Sequence, residues 1–154
     1  MSAGERTGAP PSGIRRFATL RVDGCLYGFE ADQVQEVIGA LPLTRLPLAA
    51  PAVVGLMNLR GRIVTVLELR RCLGLPVRAG DAPAVNLVLR SADNPMGLLA
   101  DEAGEVLEVD ASAWSPRPET VRGPGADLVS CVYRLERELL CVLDAEAVRA
   151  RAAA

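Results

Sequence analysis

The basic residues limit the chemistry that this chain can perform. All 17 of them are arginine, and the sequence contains no lysine and no histidine. Histidine-activated nucleophiles, imidazole metal ligands and Schiff-base lysines are therefore excluded, and so is the usual general base at neutral pH. An enzyme built on carboxylates alone remains as an alternative, but a sugar cleft usually needs aromatic platforms, and the chain has two Phe, two Tyr and one Trp. We expect no catalytic residue.

The acidic residues and the cysteines do not form a recognisable metal site. Four acidic side chains cluster in one stretch, at Asp101, Glu102, Glu105 and Glu108. They lack the alternating ligands and the turn glycine of a calcium loop, which predicts a solvated acidic edge. The four cysteines are widely spaced without a C-x-x-C pair, which predicts free thiols. We expect no metal and no cofactor.

Charge and hydropathy argue against nucleic acid and membrane as direct partners. The 17 arginines are scattered among 19 acidic residues, giving a net charge of −2, whereas a phosphate-binding surface needs clustered positive charge. The longest apolar run, residues 46–59, is shorter than a membrane span and is interrupted by Pro47, Pro51 and Gly55. Residues 1–16 contain no apolar segment of the signal-peptide type. We therefore expect a cytoplasmic protein with a disordered tail over residues 1–15.

Turn residues between apolar stretches predict a chain of hairpins. Asp23-Gly24 can supply the positive φ angles of a tight turn, and Arg60-Gly61 has the same position between two stretches rich in β-branched residues. Helical spacing predicts a short helix over residues 31–38, and Glu68 to Leu73 predicts a helical turn. Asp144 can cap a closing helix. The predicted strands are residues 16–22, 25–29, 53–59, 62–69, 84–90, 96–100, 102–109, 128–133 and 138–143.

About ten short strands with brief loops predict a mostly β fold. This number is near the point at which one sheet curls or splits, so two small barrels are favoured over one open sheet. No linker or internal repeat divides the chain.

Three segments carry a resemblance to a known family. They are Val34-Gln-Glu-Val-Ile38, then Gly55-Leu-Met-Asn-Leu-Arg-Gly61 running on through Ile63-Val-Thr-Val-Leu-Glu-Leu69, and Gly97-Leu-Leu-Ala-Asp-Glu102. In this order and spacing the chain resembles the CheW family of chemotaxis coupling proteins. The resemblance implies a CheW-like fold of two SH3-like five-stranded β-barrels with short helices and a C-terminal helix, over residues 16–148, with tails at 1–15 and 149–154.

The resemblance also implies a function and its sites. Family members are non-enzymatic adaptors that couple the cytoplasmic tips of methyl-accepting chemoreceptors to the regulatory domain of a CheA-type histidine kinase. A divergent adaptor that binds receptors but not the kinase, and so tunes array composition, is the alternative. By resemblance Glu36 and Arg60 form an ion pair near the receptor surface, although the residues alone also allow both to be solvated. The implied receptor-binding residues are Val34, Glu36, Arg60, Ile63 and Leu98, and the implied kinase or ring contacts are Glu119 and Thr120.

One departure from the family pattern bears on these sites. Thr120 stands where the family often has a bulky apolar residue. A smaller and more polar side chain buries less area, so we expect a weaker or more specialised contact with the kinase there.

Overall fold

The computed structural model describes residues 11–80 and 82–153. Their strands form two antiparallel-rich sheets, joined by three 3-10 turns, Ala31–Gln33, Ala111–Ala113 and Ala126–Leu128, and by helices α1 (Leu69–Cys72) and α2 (Ala145–Ala150). The strands are β1 (Ile14–Val22), β2 (Cys25–Glu30), β3 (Val34–Gly39), β4 (Val53–Leu59), β5 (Arg62–Glu68), β6 (Val85–Leu89), β7 (Met96–Ala100), β8 (Glu102–Asp110), β9 (Trp114–Pro116), β10 (Val129–Arg134) and β11 (Leu139–Leu143).

The first sheet has six strands in the order β8-β1-β2-β11-β10-β9. Its first hairpin turns at Asp23 (φ 52°) and Gly24 (φ 80°), so both central residues have the left-handed conformation predicted for this dipeptide. Trp114–Pro116 forms the short edge strand β9, in agreement with the rule that proline is tolerated at an edge and not in a central strand.

The second sheet has five strands in the order β3-β6-β7-β5-β4. The β4–β5 hairpin turns at Arg60 (φ 51°) and Gly61 (φ 86°), as predicted. The Asn58 side chain reinforces this turn, because its Oδ1 accepts a 2.9 Å hydrogen bond from the Gly61 amide. The turn is therefore held by a local side chain as well as by the strand ladder.

The helix predicted over residues 31–38 is wrong. Only Ala31–Gln33 forms a 3-10 turn, and Val34 to Gly39 is strand β3, which pairs antiparallel with β6. All three apolar residues that suggested the helix, Val34, Val37 and Ile38, are β-branched, and such side chains pack well on a pleated surface. Pairing with a neighbouring strand therefore overrides the helical spacing.

The predicted mostly β architecture of two small units is confirmed as two separate sheets. Within the described residues the edge strands of neither sheet are hydrogen-bonded to each other along a ladder, so neither barrel is fully closed. β1 begins at Ile14 and α2 ends at Ala150, so the folded part extends two residues beyond each of the predicted boundaries at 16 and 148. The first ten residues of the predicted tail lie outside the described residues.

Three apolar clusters make up the core. The largest lies between the sheets and includes Leu20 and Phe29 from the first sheet, Leu87 and Leu98 from the second, and Val148 from α2. A second cluster lies within the six-stranded sheet, and a third lies within the five-stranded sheet. Because the largest cluster draws residues from both sheets, their relative position is fixed by buried apolar surface.

Candidate partner-binding site

Glu36 is positioned by the edge strand β3. Side chains along a strand alternate between its two faces, so Glu36 faces away from Val37 and shares a face with Ile38. The Ile38 side chain packs against the apolar cluster of the five-stranded sheet. A register shift between Val34 and Glu36 in the pairing with β6 changes which face the following residues use. This places the carboxylate at the rim of the five-stranded sheet, with 21% of its side chain exposed.

Arg60 reaches Glu36 from the opposite side of the same sheet. β3 and β4 are the two edges of that sheet, and Arg60 follows β4 in its turn. The guanidinium makes a two-pronged contact, with 2.6 Å from Nη1 to Oε2 and 2.5 Å from Nη2 to Oε1. Since the partners come from opposite edges, the sheet must curl, and the ion pair bridges the open side of this partial barrel.

The Arg60 contact holds the pKa of the Glu36 carboxyl down to about 2, with a smaller contribution from the Gln35 amide, whose Nε2 donates to Oε2 over 2.9 Å. The same pair raises the pKa of Arg60. Glu36 is therefore charged at every physiological pH. The pair orients the two segments and supplies no proton donor or acceptor for catalysis.

We expect the Glu36 carboxyl to titrate at about 2 and not at its ordinary value of 4.5. A depressed pKa means that the stabilisation is fully present above about pH 4.5 and is lost as the pH falls toward about 2. An NMR titration of the Glu36 side-chain carboxyl carbon measures this, and in Arg60→Ala the midpoint should move back up. A midpoint near 4.5 in the intact protein would mean that the ion pair does not form in solution.

The segments that carry this pair also carry exposed apolar residues. Val37 of β3 is 40% exposed and Ile63 at the start of β5 is 62% exposed. A small hollow of about 120 Å³ is lined by side chains that include Gln35, Arg60 and Arg62. The pair therefore sits within a surface that offers both charge and apolar area to a partner.

The structure separates the other predicted receptor contacts from this surface. Leu98 has no exposed area and Val34 retains 9%, and both pack in the large cluster between the sheets. Central strand pairing places Leu98 between β5 and β6, where no partner can touch it in this conformation. As direct contacts, Val34 and Leu98 are corrected to core residues, whereas Ile63 keeps an accessible side chain.

Residues 16–152 match the family model of the CheW-like domain. The chain belongs to the CheW-like family. Among its curated relatives, the chemotaxis protein CheW of Bacillus subtilis is 29% identical over 86% of this chain and 85% of its own length. The chemotaxis protein CheW of Treponema pallidum is 26% identical over 84% of this chain and 78% of its own length.

A solved structure supports the same fold. The scaffolding protein TtCheW from Thermoanaerobacter tengcongensis superimposes with a TM-score of 0.75, covering 84% of this chain and 88% of its own, at 22% sequence identity. At this identity the likeness concerns the fold, and it agrees with the two sheets of this CheW-like domain.

The two residues predicted for kinase contact lie away from the ion pair. Glu119 and Thr120 are exposed, in the loop between β9 and β10 on the six-stranded sheet. Two hydrogen bonds shape the loop, from the Val121 amide to the Pro118 carbonyl (3.0 Å) and from the Arg122 Nε to the Glu119 carbonyl (3.0 Å). The predicted kinase loop therefore belongs to the six-stranded sheet, whereas the Glu36–Arg60 pair belongs to the five-stranded sheet.

A buried ionic network was missed by the sequence analysis. Arg78 donates to Glu68 over 3.0 and 2.8 Å and to Asp101 over 2.6 Å, and Arg70 donates to Asp101 over 3.0 and 2.7 Å. The Asp23 amide also donates to Asp101 over 2.8 Å. The Arg70 guanidinium is the main reason that the pKa of Asp101 falls to about 2. The prediction of a solvated acidic edge is therefore wrong for Asp101, which is an ion-pair partner where the five-stranded sheet (β7) connects to the six-stranded sheet (β8).

No local sequence signal could have revealed this network. Its pairs are 10, 23 and 31 residues apart in the chain. Glu68 and Arg78 lie on either side of helix α1 and share neither a helix nor a hairpin, and the other two separations are far from a helical i,i+4 spacing. Only the fold brings the end of β5, the loop after α1 and the β7–β8 junction together.

Neither a metal-binding cluster nor a membrane-spanning helix is found in the part of the chain that the structure describes. Over residues 11–80 and 82–153, no group of three or more Cys, Asp or Glu side chains is arranged to hold a metal ion. No helix in the same part of the chain is long and apolar enough to cross a membrane.

Proposed function

We propose that this CheW-like protein is a non-enzymatic adaptor in the cytoplasm, which couples the tip of a chemoreceptor to the regulatory domain of a CheA-type histidine kinase. Its family membership supports a scaffolding role in chemotaxis. The curated relatives are named chemotaxis protein CheW, and the solved structure is that of a scaffolding protein. Binding both partners raises the effective concentration of one for the other without any turnover.

The Glu36–Arg60 pair carries the receptor part of the proposal. It is a two-pronged contact that ties β3, which carries the exposed Val37, to the β4–β5 turn, which leads into the exposed Ile63. A helical receptor tip can lay apolar side chains on such a surface, while Arg60, with 66% of its side chain exposed, remains within reach of the partner. The pair's role is to orient this surface.

The kinase part of the proposal rests on the loop with Glu119 and Thr120. Both are exposed on the other sheet, so one protein can occupy this loop while another covers the Glu36–Arg60 surface. Thr120 offers little apolar area, which predicts a weak contact that needs neighbouring subunits for strength.

Replacing Arg60 with alanine should lower affinity for a receptor cytoplasmic fragment by about tenfold, because interface arginines often dominate binding and the β4–β5 turn loses its tie to β3. Pull-down and titration with the receptor fragment and the kinase regulatory domain measure this. Arg16→Ala is the matched control, since Arg16 is also an exposed ion-paired arginine, but on the other sheet.

The outcomes separate the proposals. Arg60→Ala should keep its kinase affinity, and the swapped pair Glu36→Arg with Arg60→Glu should restore part of the receptor affinity. A folded Arg60→Ala protein that binds the receptor fully would remove Arg60 from the site. If the unaltered protein binds neither the receptor fragment nor the kinase regulatory domain, the adaptor proposal is wrong. Binding to the receptor fragment alone would identify the divergent adaptor instead.

A further inference from the structure

The loop between β9 and β10, residues 117–128, lies against a helix that belongs to the other sheet. The loop begins at the edge of the six-stranded sheet and carries the exposed Glu119 and Thr120. Helix α1 follows β5 directly and packs against β5 and β7, so it is part of the five-stranded unit. What joins the loop to α1 therefore joins the loop to the other sheet.

Two glycines let the loop and the end of α1 touch. A Cβ atom on Gly125 would lie 2.6 Å from the Leu73 Cα, and one on Gly74 would lie 2.8 Å from the Pro124 Cγ. Gly125 is buried and has a φ of −99°, which other residues also adopt in turns. At Gly125 the contact with Leu73, and not the backbone conformation, is therefore what excludes a side chain.

Arg151, which follows α2, bridges the same two segments. Its Nη1 donates to the carbonyl of Cys72 at the end of α1 over 3.3 Å, and its Nη2 donates to the Pro124 carbonyl in the loop over 3.1 Å. The Nη2 also donates to the Asp127 Oδ1 over 2.6 Å. The Cys72 carbonyl belongs to a helix end, where carbonyls lack intrahelical partners. Because a guanidinium is a rigid planar fork, these bonds fix the distance between loop and helix.

The other end of the loop is held by local contacts. The Arg117 Nη1 donates to the Ala126 carbonyl over 2.6 Å and so closes the base of the loop. Val121 packs against the large apolar cluster between the sheets. Glu119 and Thr120 lie between these anchors and the segment that Arg151 ties to α1. Their placement therefore depends on a bridge between the two sheets as well as on the loop itself.

We propose that Arg151 is a positioning residue for the kinase contact, which holds the β9–β10 loop against α1 so that Glu119 and Thr120 are presented in one conformation. This rests on the proposed function, in which that loop contacts the kinase regulatory domain. Ordering a segment in advance lowers the entropy cost of binding, which matters most where apolar area is small, as at Thr120. Arg151 acts through the loop and does not touch the kinase.

Amide hydrogen exchange on the free protein tests the positioning without any partner. In Arg151→Ala, protection should fall about tenfold at the amides of Val121 and Ala126, which bond within the loop. Protection of the β4–β5 hairpin should persist, which shows that the fold is intact. Arg149→Ala is the matched control, because Arg149 also donates to two carbonyls from the end of α2, but in the connection between β6 and β7. Unchanged loop protection in Arg151→Ala overturns the proposal.

Titration with the kinase regulatory domain tests the consequence for binding. Arg151→Ala should bind about tenfold more weakly, as expected when the binding-competent loop conformation falls to about a tenth of the population. Its affinity for the receptor fragment should stay unchanged, and Arg149→Ala should keep its kinase affinity. A loop that loses protection while kinase affinity stays full would also overturn the proposal.

Gly125→Ala distinguishes positioning from a direct contact of Arg151 with the kinase. This variant keeps Arg151 but displaces the loop from α1, so kinase affinity should fall as in Arg151→Ala, and the double variant should lose little more than either alone. Gly39→Ala, with open space around its Cβ position, is the control. Full kinase affinity in Gly125→Ala would place Arg151 in direct contact and overturn the proposal.

The two proposals can fail separately. If the unaltered protein does not bind the kinase regulatory domain, the kinase part of the proposed function is wrong. Hydrogen exchange in Arg151→Ala still decides whether Arg151 holds the loop against α1.

Discussion

Replacing Arg78 with alanine is expected to destabilise the fold by about 3 kcal/mol or more, because removal of one partner leaves a buried carboxylate without its countercharge. Glu68 has only 5% of its side chain exposed, and Arg78 has 11%. Arg78 also bridges to Asp101 at the β7–β8 junction. Its loss therefore affects both the buried Glu68 and the connection between the two sheets.

Urea unfolding monitored by circular dichroism measures this effect through the midpoint at constant m. Arg122→Ala is the control, since Arg122 is an exposed arginine whose Nε donates to the Glu119 carbonyl, and its effect should stay within about 0.5 kcal/mol. Adding Glu68→Gln to Arg78→Ala should recover part of the loss, because a neutral amide tolerates burial better than an unpaired charge. A loss below about 1 kcal/mol would show that the network contributes little.

The parts of the fold that depend on local turn chemistry could be predicted from the sequence. Asp23-Gly24 and Arg60-Gly61 identified their hairpins because few dipeptides adopt positive φ at both positions, and the structure places both pairs in that conformation. Asp144 was predicted to cap the last helix, and its side chain accepts hydrogen bonds from the Glu146 and Ala147 amides. In each case the signal lies within a few residues.

The features that depend on distant contacts could not be predicted in the same way. Residues 34–38 have helical spacing, and only the pairing with β6 makes them a strand. Leu98 and Val34 were assigned to a groove because the sequence does not tell which apolar residues of a strand face the core. For Glu36 and Arg60 the residues alone left pairing and solvation open, and the family resemblance favoured the pairing that the structure contains.

The loop between β3 and β4 and the Glu36–Arg60 pair share one support, which is strand β4. Arg60 follows its last residue, and Thr44 bonds to Leu56 near its middle. Gly55 lies at the point of closest approach, with a φ of 155°. A Cβ atom there would be 2.5 Å from the Thr44 carbonyl oxygen, which is backbone and cannot rotate away. The loop can lie this close to β4 only because residue 55 is glycine.

Gly55→Ala is therefore expected to cost about 3 kcal/mol, combining overpacking with a backbone conformation that alanine disfavours. Gly39→Ala is the matched control, because Gly39 also lies in an edge strand of this sheet but has open space around its Cβ position. Urea midpoints of the two variants give the difference.

Amide hydrogen exchange on Gly55→Ala locates the damage. The clash acts on Thr44, so protection should fall first at Thr44 and Leu56, whose amides form the bridge between loop and strand. Protection of the β4–β5 hairpin near Arg60 should persist, since that ladder does not involve the loop. Equal loss of protection along all of β4 would contradict this, and it would mean that the loop and the β4–β5 hairpin open as one cooperative unit.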